Sequence, residues 1–177
     1  MPPIALPDYY APAETNGSAP KMNRQWHLSH LRGYLELGMD RDARRELRQL
    51  PETVREEPAF LAMAMQIHQN AQRWPSVERI ARKLVKQEPG QAGWWIILAF
   101  ATRRIRSIEA ARRILLKAED LHGKEPTIQF NLACYAAQLG DIGEARIRLA
   151  RATARESHFA ELAKSDPDLE PMRRSKE

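Results

Sequence analysis

Side chains able to do chemistry are few in this sequence, and they are scattered. Cys134 is the single cysteine. A nucleophilic thiol needs a partnered base and an oxyanion site. Here the run Leu132-Ala133-Cys134-Tyr135-Ala136 gives it small apolar neighbours, among which a thiol behaves as a small hydrophobe. His27 and His30 stand three apart and can share one side of a helix, a spacing that could ligate a metal, and His68 follows later. No carboxylate is obviously placed to complete that set. The chain has no glycine-rich phosphate loop, no nucleophile elbow and no acid pair at recurring spacing. The expectation is therefore a protein that is not an enzyme, with no catalytic, cofactor-binding or metal-binding residues.

Binding chemistry is better represented. Trp94 and Trp95 are adjacent, so on a helix they diverge by about 100° and only one can face a core. The exposed one could anchor a partner. Arg103, Arg104, Arg106, Arg112 and Arg113 are spread around two predicted helices and do not form one stripe. The net charge is +5, and residues 58–91 and 92–125 each carry +3 of it. That basic middle could attract acidic peptides or nucleic acid.

Composition sets the broad class. With 177 residues, 43% hydrophobic and 29% charged, the chain is long enough for one ordinary domain, and with 8 glycines it cannot be collagen-like. No run reaches the roughly 18 apolar residues of a membrane span, and the N-terminus lacks the pattern of a secretory signal. One cysteine cannot form an internal disulfide, so the expected compartment is the reducing cytoplasm.

The elements that must position these residues are helices. Residues 1–20 hold five of the 12 prolines and no periodic pattern, which predicts a disordered tail over 1–23. From Asn23 onward, apolar residues recur at three- and four-residue spacing, broken at Gly38, Pro51, Pro58, Pro75, Pro89-Gly90, Ser107, Gly123 to Pro126 and Gly140. The prolines at 58, 75 and 126 suit a first helical turn, and Ser107 and Asp141 suit N-caps. These breakers repeat every 34 residues. Gly140-Asp141-Ile142-Gly143-Glu144-Ala145 aligns on Arg106-Ser107-Ile108-Glu109-Ala110-Ala111, and Ala111 steps back through Val77 to Ala43. Four units follow, 24–57, 58–91, 92–125 and 126–159, each with two helices, and residues 160–177 remain as a capping helix and a frayed end. Leu162, Leu169 and Met172 are expected to cover the fourth unit.

These residues resemble the tetratricopeptide repeat (TPR) family over units 1 to 4. The small residue near the start of the second helix is matched by Ala43, Val77, Ala111 and Ala145, and the large one four later by Leu47, Leu115 and Leu149, with Ala81 a weaker fit. The small residue within the first helix is matched by Ala99 and Ala133, whereas Leu31 and Met65 depart. The block Asn131 to Asp141 is similar to bacterial members.

The resemblance implies an all-α fold, a right-handed superhelix of antiparallel helix pairs, whose first helices line a concave groove. Carried over residue by residue, it assigns a peptide-binding groove to Arg32, Met63, Gln66, Asn70, Ile97, Phe100, Arg103, Arg104, Phe130 and Asn131, centred on Phe100, Arg103, Arg104 and Asn131. The expected function is a non-enzymatic scaffold that binds a protein or peptide segment, its arginines suiting an acidic one. Two alternatives stay open. One is a homo-oligomer assembled through the tail residues Ile4, Leu6, Tyr9 and Tyr10; the other is RNA or DNA binding through the basic middle. No membrane partner is expected.

Overall fold

The computed structural model describes residues 23–175. The expected tail therefore lies outside the described residues except for Asn23, and so do Ile4, Leu6, Tyr9, Tyr10 and the last two residues of the chain. Among the described residues there are helices and turns and no strand.

The helices are α1 (Arg24–Glu36), α2 (Asp40–Gln49), α3 (Glu52–Arg55), α4 (Pro58–Asn70), α5 (Trp74–Gln87), α6 (Ala92–Ile105), α7 (Ile108–His122), α8 (Pro126–Gln138), α9 (Ile142–Arg155), α10 (His158–Ser165) and α11 (Glu170–Arg174), with a 3-10 turn at Pro167–Leu169. Four pairs, α1/α2, α4/α5, α6/α7 and α8/α9, open at residues 24, 58, 92 and 126. The single-turn helix α3 fills the connection from α2 to α4.

Local signals set the boundaries. Pro58, Pro75 and Pro126 occupy first turns, where a missing N–H leaves no bond unmade. The Ser107 hydroxyl accepts from the Ala110 N–H at 3.2 Å, and the Asp141 carboxylate accepts from the Glu144 N–H at 3.0 Å. The turns inside the first and last pairs need a left-handed residue, supplied by Gly38 (φ 69°) and Gly140 (φ 83°). The equivalent turn of the second pair places Gln72 at φ 52°.

Packing runs along the chain, mainly between consecutive helices. Small residues let the helices approach: Ala43, Val77, Ala99, Ala111, Ala133 and Ala145 are fully buried. Leu115 and Leu132 fill the spaces between them, with Leu149 partly buried. There is no single core. Three apolar clusters follow one another, joined by residues that touch two of them, Ala64 between the first and second and Val85 and Ile114 between the second and third. Two buried polar groups tie pairs together. Glu78 of α5 accepts from Arg82 at 2.5 Å and from Arg106 at 3.1 Å. Arg148 of α9 donates to Glu119 of α7, to Glu144 at 2.6 Å and to Gln129 at 3.0 Å.

The C-terminal segment covers the last pair, though not with the residues expected. Leu169 is fully buried and Met172 packs on the same cluster, but Leu162 is 48% exposed. Phe159 and Ala163 take the inward positions of α10 instead, because α10 begins at His158 and its apolar stripe falls on those residues.

Candidate functional site

The first helices α1, α4, α6 and α8 stand side by side, so residues 34 apart form rows across one face. Its two ends differ. Towards the N-terminus, Arg32 of α1, Met63, Gln66 and Asn70 of α4, and Ile97 of α6 converge on an open cavity of about 420 Å³. Trp94 and Glu36 join them. Met63, Ile97 and Trp94 supply the apolar surface. An amide chain supplies the rim: Gln66 donates to Asn70 at 2.8 Å, and Asn70 donates to Asp40 at 2.9 Å. Trp95 is the buried member of the tryptophan pair, and its Nε1–H donates to the Pro89 carbonyl at 3.0 Å. Trp94 is half-buried, held by a 2.9 Å bond to Glu88. Arg32 is exposed and makes no ion pair among the described residues.

Phe100 and Arg104 form the middle. The Arg104 guanidinium lies 3.4 Å from the Phe100 ring centre and 4.7 Å from that of Trp74, leaving Phe100 38% exposed. This cation–π stack orders the arginine and keeps its charge on the surface.

The C-terminal end of the face is already occupied. Arg103 donates to both carboxylate oxygens of Asp168, with Nη2 to Oδ1 at 2.6 Å, and its guanidinium lies over the Tyr135 ring. Those bonds to Asp168 hold the Arg103 charge above its already high ordinary stability, against the opposing effect of burial. Gln138 donates to the Asp168 carbonyl at 2.9 Å. Phe130 is 8% exposed because Phe159 of α10 stacks on it, with ring centres 4.9 Å apart. Asn131 turns back to donate to the Thr127 carbonyl at 2.9 Å. Of the expected centre of the groove, Phe100 and Arg104 therefore face outward, while Arg103 and Asn131 are engaged within the chain. The physical reason is the return of residues 166–169 across α8, which charge pairing with Arg103 holds there.

Cys134 lies under the same segment. Its Sγ is 4.0 Å from Asp166, and Asp168 completes a cysteine–carboxylate trio. Burial first, and then the two carboxylates, push the thiol well above its ordinary value, so it stays protonated. The positive charge at this trio is the Arg103 guanidinium, which takes both oxygens of Asp168. Burial likewise raises the Tyr135 hydroxyl to about 12. The histidines part company: His27 meets Glu46 at 2.5 Å while His30 stacks on Trp26.

Solved structures share this arrangement of helices. A crystal structure of MamA protein gives a TM-score of 0.69 at 14% identity, covering 82% of this chain and 78% of that one. The RS-1 ArsTM double mutant of MamA gives 0.65 at 14% identity, over 81% and 79%. YrrB, described as a TPR protein with an unusual peptide-binding site, gives 0.63 at 11% identity, over 85% and 82%. This chain has the tetratricopeptide-repeat fold. It is all-α, a right-handed superhelix of antiparallel pairs, as the resemblance to that family implies. No family model matches the sequence, and no curated protein matches it. The TPR likeness thus rests on packing geometry, which survives at identities of 11 to 14%.

The TPR register explains what sequence reasoning found and what it missed. Of the residues assigned by that register, Arg32, Met63, Gln66, Asn70 and Ile97 line the open cavity, and Phe100, Arg103, Arg104, Phe130 and Asn131 do not. Asp166 and Asp168 lie beyond the repeats, and their only sequence signal is the acidic Asp166-Pro167-Asp168 step that complements the partly exposed Arg103. A second cavity, of about 770 Å³, lies between α5 and α7 on the other side of the superhelix. The spread of its basic residues over three elements hid it.

Proposed function

We propose that this protein is a non-enzymatic binding module that docks a protein segment in the first-helix groove, at the cavity formed by α1, α4 and α6. The observation that carries this reading is the contrast between the two ends of the face. One end holds a short segment of the chain itself, the turn at residues 166–169, by one buried leucine and one arginine–carboxylate pair. The other end offers the same ingredients without an occupant from the described residues: an apolar floor of Met63 and Ile97, hydrogen-bonding amides, and the unpaired Arg32 guanidinium. A segment with one or two apolar anchors and a carboxylate answers that chemistry. YrrB, with its peptide-binding site, is a precedent of fold for such use.

An enzymatic role has little support, since the Cys134 thiol is buried and held protonated. No helix among the described residues is long and apolar enough to cross a membrane. We assign the module to the cytoplasm on the strength of its single cysteine.

Affinity capture from the native cell tests the reading, with wild type compared against an Arg32→Glu, Gln66→Ala double variant carrying a photo-crosslinker on α4. Proteins crosslinked to wild type and lost from the variant are the expected result. Equal recovery by both would overturn the proposal.

A further inference from the structure

The larger cavity lies away from the first-helix groove. Helices α5 and α7 follow their own first helices by similar turns, so they run in the same direction with a trough of about 770 Å³ between them. Its floor is apolar, built by Val85 of α5, Leu98 of α6 and Ile114 of α7. Both banks are cationic. Arg82 and Lys86 stand one turn apart on α5, Arg113 and Lys117 stand one turn apart on α7, and Arg106 closes one end. No carboxylate lines the trough.

The charges on the banks are not all neutralised. Glu78 pairs with Arg82 and Arg106. Lys86, Arg113 and Lys117 are exposed and in no salt bridge among the described residues. Arg113 also faces the charge of Glu109, so Lys86 and Lys117 remain around an apolar seam, one on each bank. Leu121, 60% exposed, extends the apolar surface at the edge.

We propose that this trough is a second docking site, and that its occupant is an acidic amphipathic helix of a partner protein. The argument is complementarity of charge and of spacing. Cations one helical turn apart on each bank, about 6 Å, match carboxylates at i and i+4 on both flanks of a helix. An apolar stripe between those flanks buries on Val85, Leu98 and Ile114, the helix-in-groove mode of recognition. Among the described residues, the acidic segment 166–170 is engaged with Arg103 and Gln138 on the first-helix face, so it does not supply that helix.

A nucleic acid fits the trough less well. Phosphates would gain nothing from an apolar floor, and the one aromatic side chain lining it, Trp95, is buried and offers no stacking platform. With a ligand on each face, the protein would bridge two partners.

The probe is a fluorescent 18-residue model helix with a leucine stripe flanked by glutamates, titrated into the full chain and read by anisotropy and by methyl chemical shifts. Saturable binding is expected, with shifts at Val85, Leu98 and Ile114. Reversal of the exposed cations in a Lys86→Glu, Lys117→Glu variant is expected to weaken it at least tenfold. Neutralisation in Lys86→Gln, Lys117→Gln should give a smaller loss in the same direction. Circular dichroism verifies that both variants keep their helices. The proposal is overturned by undiminished binding to a folded variant, by equal binding of a scrambled peptide of the same composition, or by a dT20 oligonucleotide that binds more tightly and displaces the helix. It is also overturned if Arg32→Glu, rather than the lysine changes, abolishes binding, a result that would move the probe to the first-helix groove.

Discussion

Arg103 and Asp168, 65 residues apart in sequence, form a two-point ion pair that holds the C-terminal segment across α8 and against the end of α6. Together with buried Leu169 and the stack of Phe159 on Phe130, this contact covers one half of the first-helix face. The covered half holds Cys134 and Phe130, and the open half holds Arg32 and Met63.

Asp168→Asn should loosen that segment without unfolding the repeats. Both side chains are about a quarter exposed, so the loss is discounted for solvent to about 1 kcal/mol. Hydrogen exchange should rise over residues 158–175 and stay unchanged in α1 to α5. Arg103→Glu, which places two acids together, should have the larger effect.

Gln72→Gly should stabilise the protein. Gln72 adopts a left-handed conformation (φ 52°) at the turn where the first and last pairs use Gly38 and Gly140. Relief of that strain, less the added freedom of glycine in the unfolded chain, is worth about 0.5–1 kcal/mol. An increased urea midpoint with an unchanged slope is the expected reading.

Stability should fall on acidification in two stages. Burial first, and then Arg73, Arg44 and Arg79, depress the folded-state value of His68. Its neutral form is favoured in the fold, so its contribution is full above 6.5 and is lost as pH drops below that value. Burial works to raise the carboxyls of Glu78 and Glu119. It is outweighed by hydrogen bonds from Arg82 and Arg106 to Glu78, and from Gln129 and Arg148 to Glu119, so both sit below the usual carboxylate range. Their contributions persist above about 4.5 and disappear below it. Chemical denaturation at pH 8, 6, 5 and 4 resolves the two stages: His68→Gln should flatten the first, and Glu78→Gln part of the second.

Ala145→Leu should cost about 1–3 kcal/mol or more, because Ala145 is fully buried where α8 and α9 pack and there is no room for three more carbons. Ala154→Leu, on the exposed side of the same helix, should change stability by less than about 0.5 kcal/mol. Equal effects at the two sites would contradict the packing register.

The 34-residue spacing, the small residues at 43, 77, 111 and 145, and the proline and glycine punctuation were enough to determine the helix pairs. That only one of Trp94 and Trp95 can face a core followed from helix geometry, and the structure buries Trp95. These features are local, or repeat between neighbours, so each unit carries its own instructions. What only the tertiary structure decided is where the non-repeating C-terminal segment lands. No periodicity links Asp168 to Arg103, or sets Phe159 rather than Leu162 against the last pair. The cationic trough is another such case. Its banks come from α5 and α7 and its floor partly from α6, so it exists only once the superhelix has brought residues 82 to 121 around one space.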